Sequence, residues 1–229
     1  MDAVFSNFDE YLKAFGLTLG LFVVSGLLSL VWGTVLAVFR VGPVSILRKA
    51  AGIYVTLFRN TPLLMIFIFM AIAMPVLGYN FRFIEEIEVG GYNVSDFFFR
   101  SILALTLYTS AFVCEAMRSG VNAVPLGQAE AGRAIGLTFA QSMKLVILPQ
   151  AARAVIPPMT SVQIALIKNT SVAAAFGMAE AVATMRALTN DNADQRTGIF
   201  LAFAIGYIII VEVVAFSSYA VERKVRVAR

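Results

Sequence analysis

The 229-residue chain has no histidine and a single cysteine, Cys114. The first absence excludes every histidine-based metal site and every Ser-His or Cys-His nucleophile. The second excludes an internal disulfide, so cysteine usage says nothing about redox compartment. Charge is also scarce: 14% of residues are Asp, Glu, Lys or Arg, where soluble proteins average about 25%. No G-x-x-x-x-G-K-[S/T] occurs, and none of the five lysines follows a glycine, so the chain has no phosphate-cradling loop of its own. Carboxylates are not clustered, and no metal site is expected. The first ten residues carry Asp2, Asp9 and Glu10 and no positive charge, whereas a secretory signal begins basic. The first apolar run is therefore expected to stay in the membrane.

What the chain has in excess is apolar bulk: 59% hydrophobic residues, 19 phenylalanines and a mean hydropathy of +0.83. A water-soluble domain of this length cannot bury so much; a bilayer, acting as solvent, removes the problem. About 20 apolar residues of helix cross a hydrocarbon core of roughly 30 Å. Five spans are expected, at about 14–39, 53–81, 97–118, 154–179 and 197–221. The second is a charge-free run from Asn60 to Phe81 whose helix is expected to begin earlier, near Ile53. The third is interrupted by Arg100 and ends with Glu115; the fourth holds Pro157, Pro158 and Lys168; the fifth holds Glu212. The runs are long and lack the alternation of a barrel strand, so they read as helices. The fold class is an all-α membrane protein, one transmembrane domain over residues 1–229.

Charge between the spans alternates. Residues 1–13 set Asp2, Asp9 and Glu10 against Lys13. Residues 82–100 set Glu85, Glu86, Glu88 and Asp96 against Arg82 and Arg100, and residues 180–196 are also net acidic. By contrast, residues 40–59 carry Arg40, Arg48, Lys49 and Arg59 with no acid, and residues 115–153 and 222–229 are net basic. Basic loops stay in the cytoplasm. The expected topology is that of a multi-pass cell-membrane protein with the N-terminus outside and the C-terminus cytoplasmic.

Between the third and fourth spans lies a segment that bare topology does not need, about 120–149. Gln128 to Gly136 is Ala-rich and favours helix, with Gly136 as its stop. Phe139–Leu148 places Phe139, Met143, Val146 and Ile147 near helical spacing, and Pro149 is expected to break that stretch. This predicts a helix-turn-helix on the inner face, read either as a functional projection or as an interfacial hairpin that only pads the loop.

Here the sequence resembles a known family. Glu130-Ala131-Gly132, then Gly136, then Val146-Ile147-Leu148-Pro149 is similar to the E-A-A-x3-G-x9-I-x-L-P signature of ABC importer permeases, with Gly132 and Val146 as small apolar departures. Phe58-Arg59-Asn60-Thr61-Pro62-Leu63 resembles the R-x-T-P-L motif of the polar amino-acid branch. Glu115 to Gly120, Gly127-Gln128, Leu148-Pro149-Gln150-Ala151 and Lys168-Asn169-Thr170-Ser171 resemble its other motifs, in order, across about residues 14–222. Overall the chain looks closest to permeases of actinobacterial glutamate uptake systems. The resemblance implies a type I ABC importer-like fold in which the inner loop is a coupling helix, with Glu130, Ala131, Gly132 and Gly136 as coupling positions. It implies several partners: a dimer of ATPase subunits that bind ATP and magnesium, a second permease (a related chain or a second copy), an extracytoplasmic amino-acid-binding protein, and membrane lipid. It implies no cofactor in this chain, no enzymatic activity and no nucleic acid.

Ionisable groups inside a span are costly, about 2.5–3.5 kcal/mol on insertion scales, and are functional candidates. Lys168, with Asn169, Thr170 and Ser171, is a substrate-path candidate; the competing reading pairs it with Glu212 or Glu115. Arg59, Thr61, Pro62, Glu115, Arg118 and Glu212 are structural or gating candidates. Glu115 lies three residues before Arg118, a spacing that lets them pair. Arg59 reads as a headgroup anchor and Glu212 as a group with a packing partner. Pro157-Pro158 marks either the start of the fourth helix, the favoured reading, or a bend within it. The leading function is ATP-driven import of a polar amino acid, glutamate first, by alternating access. The competing classes are an ATP-independent channel or carrier and a membrane-embedded enzyme.

Overall fold

The computed structural model describes residues 2–79, 87–89 and 92–225. A short helix α1 (Asp2–Ser6) leads into α2 (Phe8–Val41). At 34 residues, α2 is about 51 Å long. It is apolar on every side from Ala14 to Phe39, as suits a helix in lipid. Then follow α3 (Ser45–Asn60), α4 (Leu63–Ile68), a π turn (Phe69–Ala73) and α5 (Met74–Val76). Two short antiparallel strands, β1 (Ile87–Val89) and β2 (Tyr92–Val94), pair Ile87 with Val94 and Val89 with Tyr92. The rest is helical: α6 (Asp96–Asn122), α7 (Leu126–Ala134), α8 (Phe139–Ser142), a π turn (Met143–Ile147), α9 (Leu148–Asn169), a 3-10 stretch (Thr170–Phe176), α10 (Ala181–Asp191) and α11 (Arg196–Val225).

Four stretches are long and apolar enough to cross a membrane: Phe8–Val41, Asp96–Asn122, Phe139–Phe176 and Ala193–Lys224. The fifth is the pair Ser45–Asn60 and Leu63–Val76, bent by 101°. The single helix expected over 53–81 is thus corrected; Asn80 and Phe81 lie outside the described residues. The cause is Pro62. A proline drives the residue before it out of the helical region, and Thr61 is extended at φ −91°, ψ 126°. The arm after the break is 14 residues, about 21 Å, shorter than the hydrocarbon core. α3 is amphipathic: Ala51, Val55, Tyr54 and Phe58 face α2 and α6, while Ile53 and Leu57 point outward.

Two further corrections concern proline. Pro157 and Pro158 sit inside α9 and do not start it. Pro149 does not break the chain, which is helical from Phe139 to Phe176; the π turn Met143–Ile147 precedes it and takes up the misfit. Pro75 is likewise preceded by the π turn Phe69–Ala73. A proline leaves the carbonyl four residues earlier without its usual donor. For Pro75 that carbonyl is Ala71, and Arg100 Nη1 donates to it at 3.3 Å. Arg100 also pairs with Asp96 and lies over the Phe97 ring, 5.5 Å from its centroid. This explains an arginine within the third span.

α6 is the centre of the bundle, packed by α2, α3, α4 and α9. Glycines permit the close crossings. A Cβ on Gly33 of α2 would stand 2.8 Å from the Ser110 carbonyl, and one on Gly120 of α6 would stand 2.9 Å from the Ala151 carbonyl. Small residues bring membrane helices together, since apolar burial against lipid supplies no drive. The main core joins Leu21, Phe67, Leu105 and Leu166. A second, aromatic cluster holds α11 on α2: Tyr11 and Phe203 have ring centroids 4.9 Å apart, and Tyr11 donates to the Ala202 carbonyl at 3.0 Å.

Candidate functional site

At the basic end of the bundle one carboxylate collects three guanidinium groups from three helices. Glu115 of α6 pairs with Arg40 at the end of α2, with Arg59 at the end of α3 (3.8 Å) and with Arg118 one turn on (3.7 Å). The side chains of Arg40 and Glu115 are 18% and 27% exposed, against 46% for Arg59 and 42% for Arg118. The Arg40 contact is therefore the sheltered one. The expected Glu115–Arg118 pair is present; Arg40, its strongest partner, was not singled out in the sequence. Arg59 does more than anchor to headgroups: it also lies over the Phe112 ring, 5.8 Å from its centroid.

Four residues beyond Arg118, α6 ends at Asn122, and the chain turns through Pro125 into α7. Glu130 and Ala131 are exposed on α7, and Leu126 and Ile135 are 81% and 78% exposed. Gly132 is buried: a Cβ there would meet Ser142 Oγ at 3.1 Å and Leu137 Cδ1 at 3.5 Å. Gly136 has φ +85°, a conformation that costs other residues. Around it Leu137 N–H donates to the Gly132 carbonyl (3.0 Å) and Gly136 N–H to Arg133 (2.9 Å), the paired bonds of a Schellman stop. α8 then opens on a capping box, Thr138 with Gln141. The projecting helix, its glycine stop and its return are thus built by local chemistry. Phe139 and Leu145 add exposed apolar surface beside them, so this end offers a face that a soluble partner would cover.

Beside the bundle, α6 and α9 bound a groove of about 360 Å³, lined by Tyr108, Thr109, Phe112, Ser161, Ala165 and Asn169 among others. The Thr109 hydroxyl is buried and, among the described residues, has no partner. Of the four substrate-path candidates only Asn169 reaches this groove. Thr170 is buried and donates to the Ile167 carbonyl (2.7 Å); Ser171 donates to the Lys168 carbonyl (2.6 Å). Lys168 is exposed and makes no ion pair among the described residues, so its expected alternative partners, Glu212 and Glu115, are corrected. Glu212 is exposed on α11 and has no packing partner among the described residues. The reason is orientation: Leu166, Ile167 and Thr170 occupy the buried side of the helix there, which turns Lys168 outward.

One buried group went unnoticed in the sequence. Glu180, wholly inaccessible, accepts from four donors: Tyr207 OH (2.9 Å), Thr18 Oγ1 (3.3 Å), Val182 N–H (2.8 Å) and Ala183 N–H (3.1 Å). Glutamate is not among the favoured helix caps, and a net-acidic loop gave no other signal. Among the described residues no group of three or more His, Cys, Asp or Glu residues stands close enough to hold a metal.

Three comparisons bear on this geometry. A family described as "Binding-protein-dependent transport system inner membrane component" matches residues 29–227. The glutamate transport system permease protein GluC of Corynebacterium glutamicum is 38% identical over 200 residues, covering 87% of this chain and 86% of that protein. The glutamate/aspartate import permease protein GltJ of Escherichia coli is 32% identical over 217 residues, covering 93% and 86%. Among solved structures, one titled "Crystal structure of an amino acid ABC transporter with histidines" superposes with a TM-score of 0.83 at 22% identity, over 96% of both chains.

Proposed function

The chain belongs to the family of inner-membrane components of binding-protein-dependent transport systems, and from that premise we propose that it is the translocating subunit of an ATP-driven glutamate importer. The observation that carries this reading is the exposed helix α7 with its Gly136 stop, at the end of the bundle where the arginines gather. It is a rigid projection on a membrane protein that has no nucleotide site. A separate ATPase dimer, loaded with ATP and magnesium, docks on Glu130, Ala131 and the apolar residues beside them. Gly132 and Gly136 shape the helix and do not touch the partner. The basic end is cytoplasmic, as the positive-inside bias requires, which puts the N-terminus outside and the C-terminus inside.

Five spans with α9 largely uncovered do not enclose a path. A second permease, a related chain or a second copy, therefore covers α9, and the groove beside Asn169 opens onto the shared pathway. Lys168, exposed on the same helix, lends that pathway a positive charge for an acidic substrate, with Ser171 and Thr170 holding the turn. Arg59, Thr61, Pro62, Glu115 and Arg118 form the inner hinge: the Pro62 break lets α4 tilt while Glu115 keeps α3 fixed to α6. Glu212 faces lipid or the second permease. An extracytoplasmic binding protein delivers glutamate to the opposite end. The relatives' names support glutamate, and the one positive charge that Lys168 adds on the same helix suits it.

The experiment is co-expression with a cognate ATPase, companion permease and binding protein, followed by reconstitution in liposomes. Labelled L-glutamate should accumulate only with ATP, and excess unlabelled aspartate or glutamine should compete weakly. Preferential uptake of arginine would overturn the substrate assignment and leave the importer reading intact.

A further inference from the structure

Glu180 lies outside the coupling helix, the Glu115 cluster and the groove, yet it is the most enclosed acidic or basic side chain among the described residues. Its carboxylate joins three elements. Oε1 accepts the first N–H groups of α10, Val182 and Ala183; Oε2 accepts from Thr18 of α2 and Tyr207 of α11. Thr18 Oγ1 closes a second link by accepting the Ala181 N–H at 3.1 Å. No lysine or arginine pairs with it among the described residues. A carboxyl group kept in such a place without a cation is held by hydrogen bonds alone, and together they fix the start of α10 to α2 and α11.

The same network reaches toward the groove. It does so along the chain: Thr170, buried and next to Asn169, lies ten residues before Glu180. From Thr170 the chain runs as a 3-10 stretch to Gly177, at φ +87°, where a Cβ would stand 3.6 Å from the Phe97 ring, and then to Glu180. The segment from Asn169 through the turn to α10 is thus fixed at its Glu180 end to α2 and α11, through one carboxyl group and one phenol.

We propose that Glu180 is a positioning residue for transport: it locks the segment from Asn169 to α10 onto α2 and α11, so that this end of the pathway moves as one body with those helices. This rests on the reading that the groove beside Asn169 belongs to the substrate path. The loss expected on release is large because small displacements of a positioning group are amplified; about tenfold or more is in scale.

The test uses the full transporter in liposomes. The tracer is whichever of glutamate, aspartate, glutamine and arginine the wild type accumulates most. For E180A, E180Q and Y207F, three quantities are measured: the fraction of permease assembled with its ATPase, basal ATP hydrolysis per assembled complex, and uptake per assembled complex. In E180A uptake per complex should fall about tenfold or more with basal hydrolysis near wild type. E180Q, which keeps an acceptor for the two α10 amides, should retain more uptake than E180A. A purely structural role would lower the assembled fraction and leave uptake per complex unchanged, and that result overturns the proposal. Should E180A fail to assemble, Y207F decides: lowered uptake per complex supports the link through Tyr207, and unchanged uptake refutes it. N169A separates the two layers. If N169A transports normally while Y207F does not, the groove assignment is wrong and the role of Glu180 stands.

Discussion

Replacing Glu115 should destabilise the bundle in a graded way that its three partners set. The Arg40 pair is mostly buried on both sides; a hydrogen bond to a charged group in such a place is worth about 1.5–3 kcal/mol. The Arg59 and Arg118 pairs are nearly half exposed on the arginine side and stand at 3.8 and 3.7 Å. Exposed pairs contribute roughly 0.2–1 kcal/mol each. Glu115→Ala should therefore cost roughly 2–5 kcal/mol, Arg40→Gln most of that, and Arg59→Gln or Arg118→Gln well under half. The assay is a double-mutant cycle on the purified permease, unfolded by denaturant in mixed micelles and followed by tryptophan fluorescence; the chain has one tryptophan, Trp32, on α2 beside Tyr54. The coupling energy of Arg40 with Glu115 should exceed that of Arg118 with Glu115. Equal couplings, or a silent Glu115→Ala, would show that the three arginines do not converge on this carboxylate as described.

Arg100→Met should destabilise the permease by about 1.5–3 kcal/mol, because the Asp96 pair and the donor to Ala71 are lost. Adding Pro75→Ala should recover part of it by returning an N–H to the Ala71 carbonyl; no recovery in the same denaturant assay would refute the link. Gly136→Val should strain the turn by at least about 1–2 kcal/mol. No neighbour lies within 4 Å of a Cβ there, so the loss is conformational. ATPase co-purification and uptake should fall while membrane insertion stays normal, and full uptake would exclude α7 as the coupling element. Lys168→Met should assemble like wild type, since no ion pair is broken. Poor assembly rescued by Glu212→Gln would restore the pair that the structure lacks.

Fold class, span number and the position of the projecting loop were legible because each rests on local signals: apolar run length, alternating loop charge, and a glycine after an Ala-rich helix. Pro62 was legible as a motif but not as a hinge, since Arg59 and Asn60 read as the inner edge of one span and only the backbone shows the turn. Pro149, Pro157 and Pro158 misled in the opposite direction. Proline reads as a helix breaker, yet a π turn ahead of Pro149 and tight packing of Gly120 against Ala151 keep the α9 region helical. Long-range pairing was the least legible: nothing local tells that Glu115 reaches Arg40, 75 positions away, or that Glu180 reaches Thr18. The same gap assigned Lys168 a partner on polarity alone, when the buried side of its helix turn was already occupied by Leu166 and Ile167.

The most direct measurement is accumulation of labelled L-glutamate in liposomes that hold this permease with its ATPase and companion chain, with binding protein supplied on the opposite face. Accumulation against a gradient that requires ATP, and that Gly136→Val abolishes without loss of inserted permease, is the expected result. Equilibration of glutamate without ATP, or ATP-driven uptake that Gly136→Val leaves untouched, would contradict it.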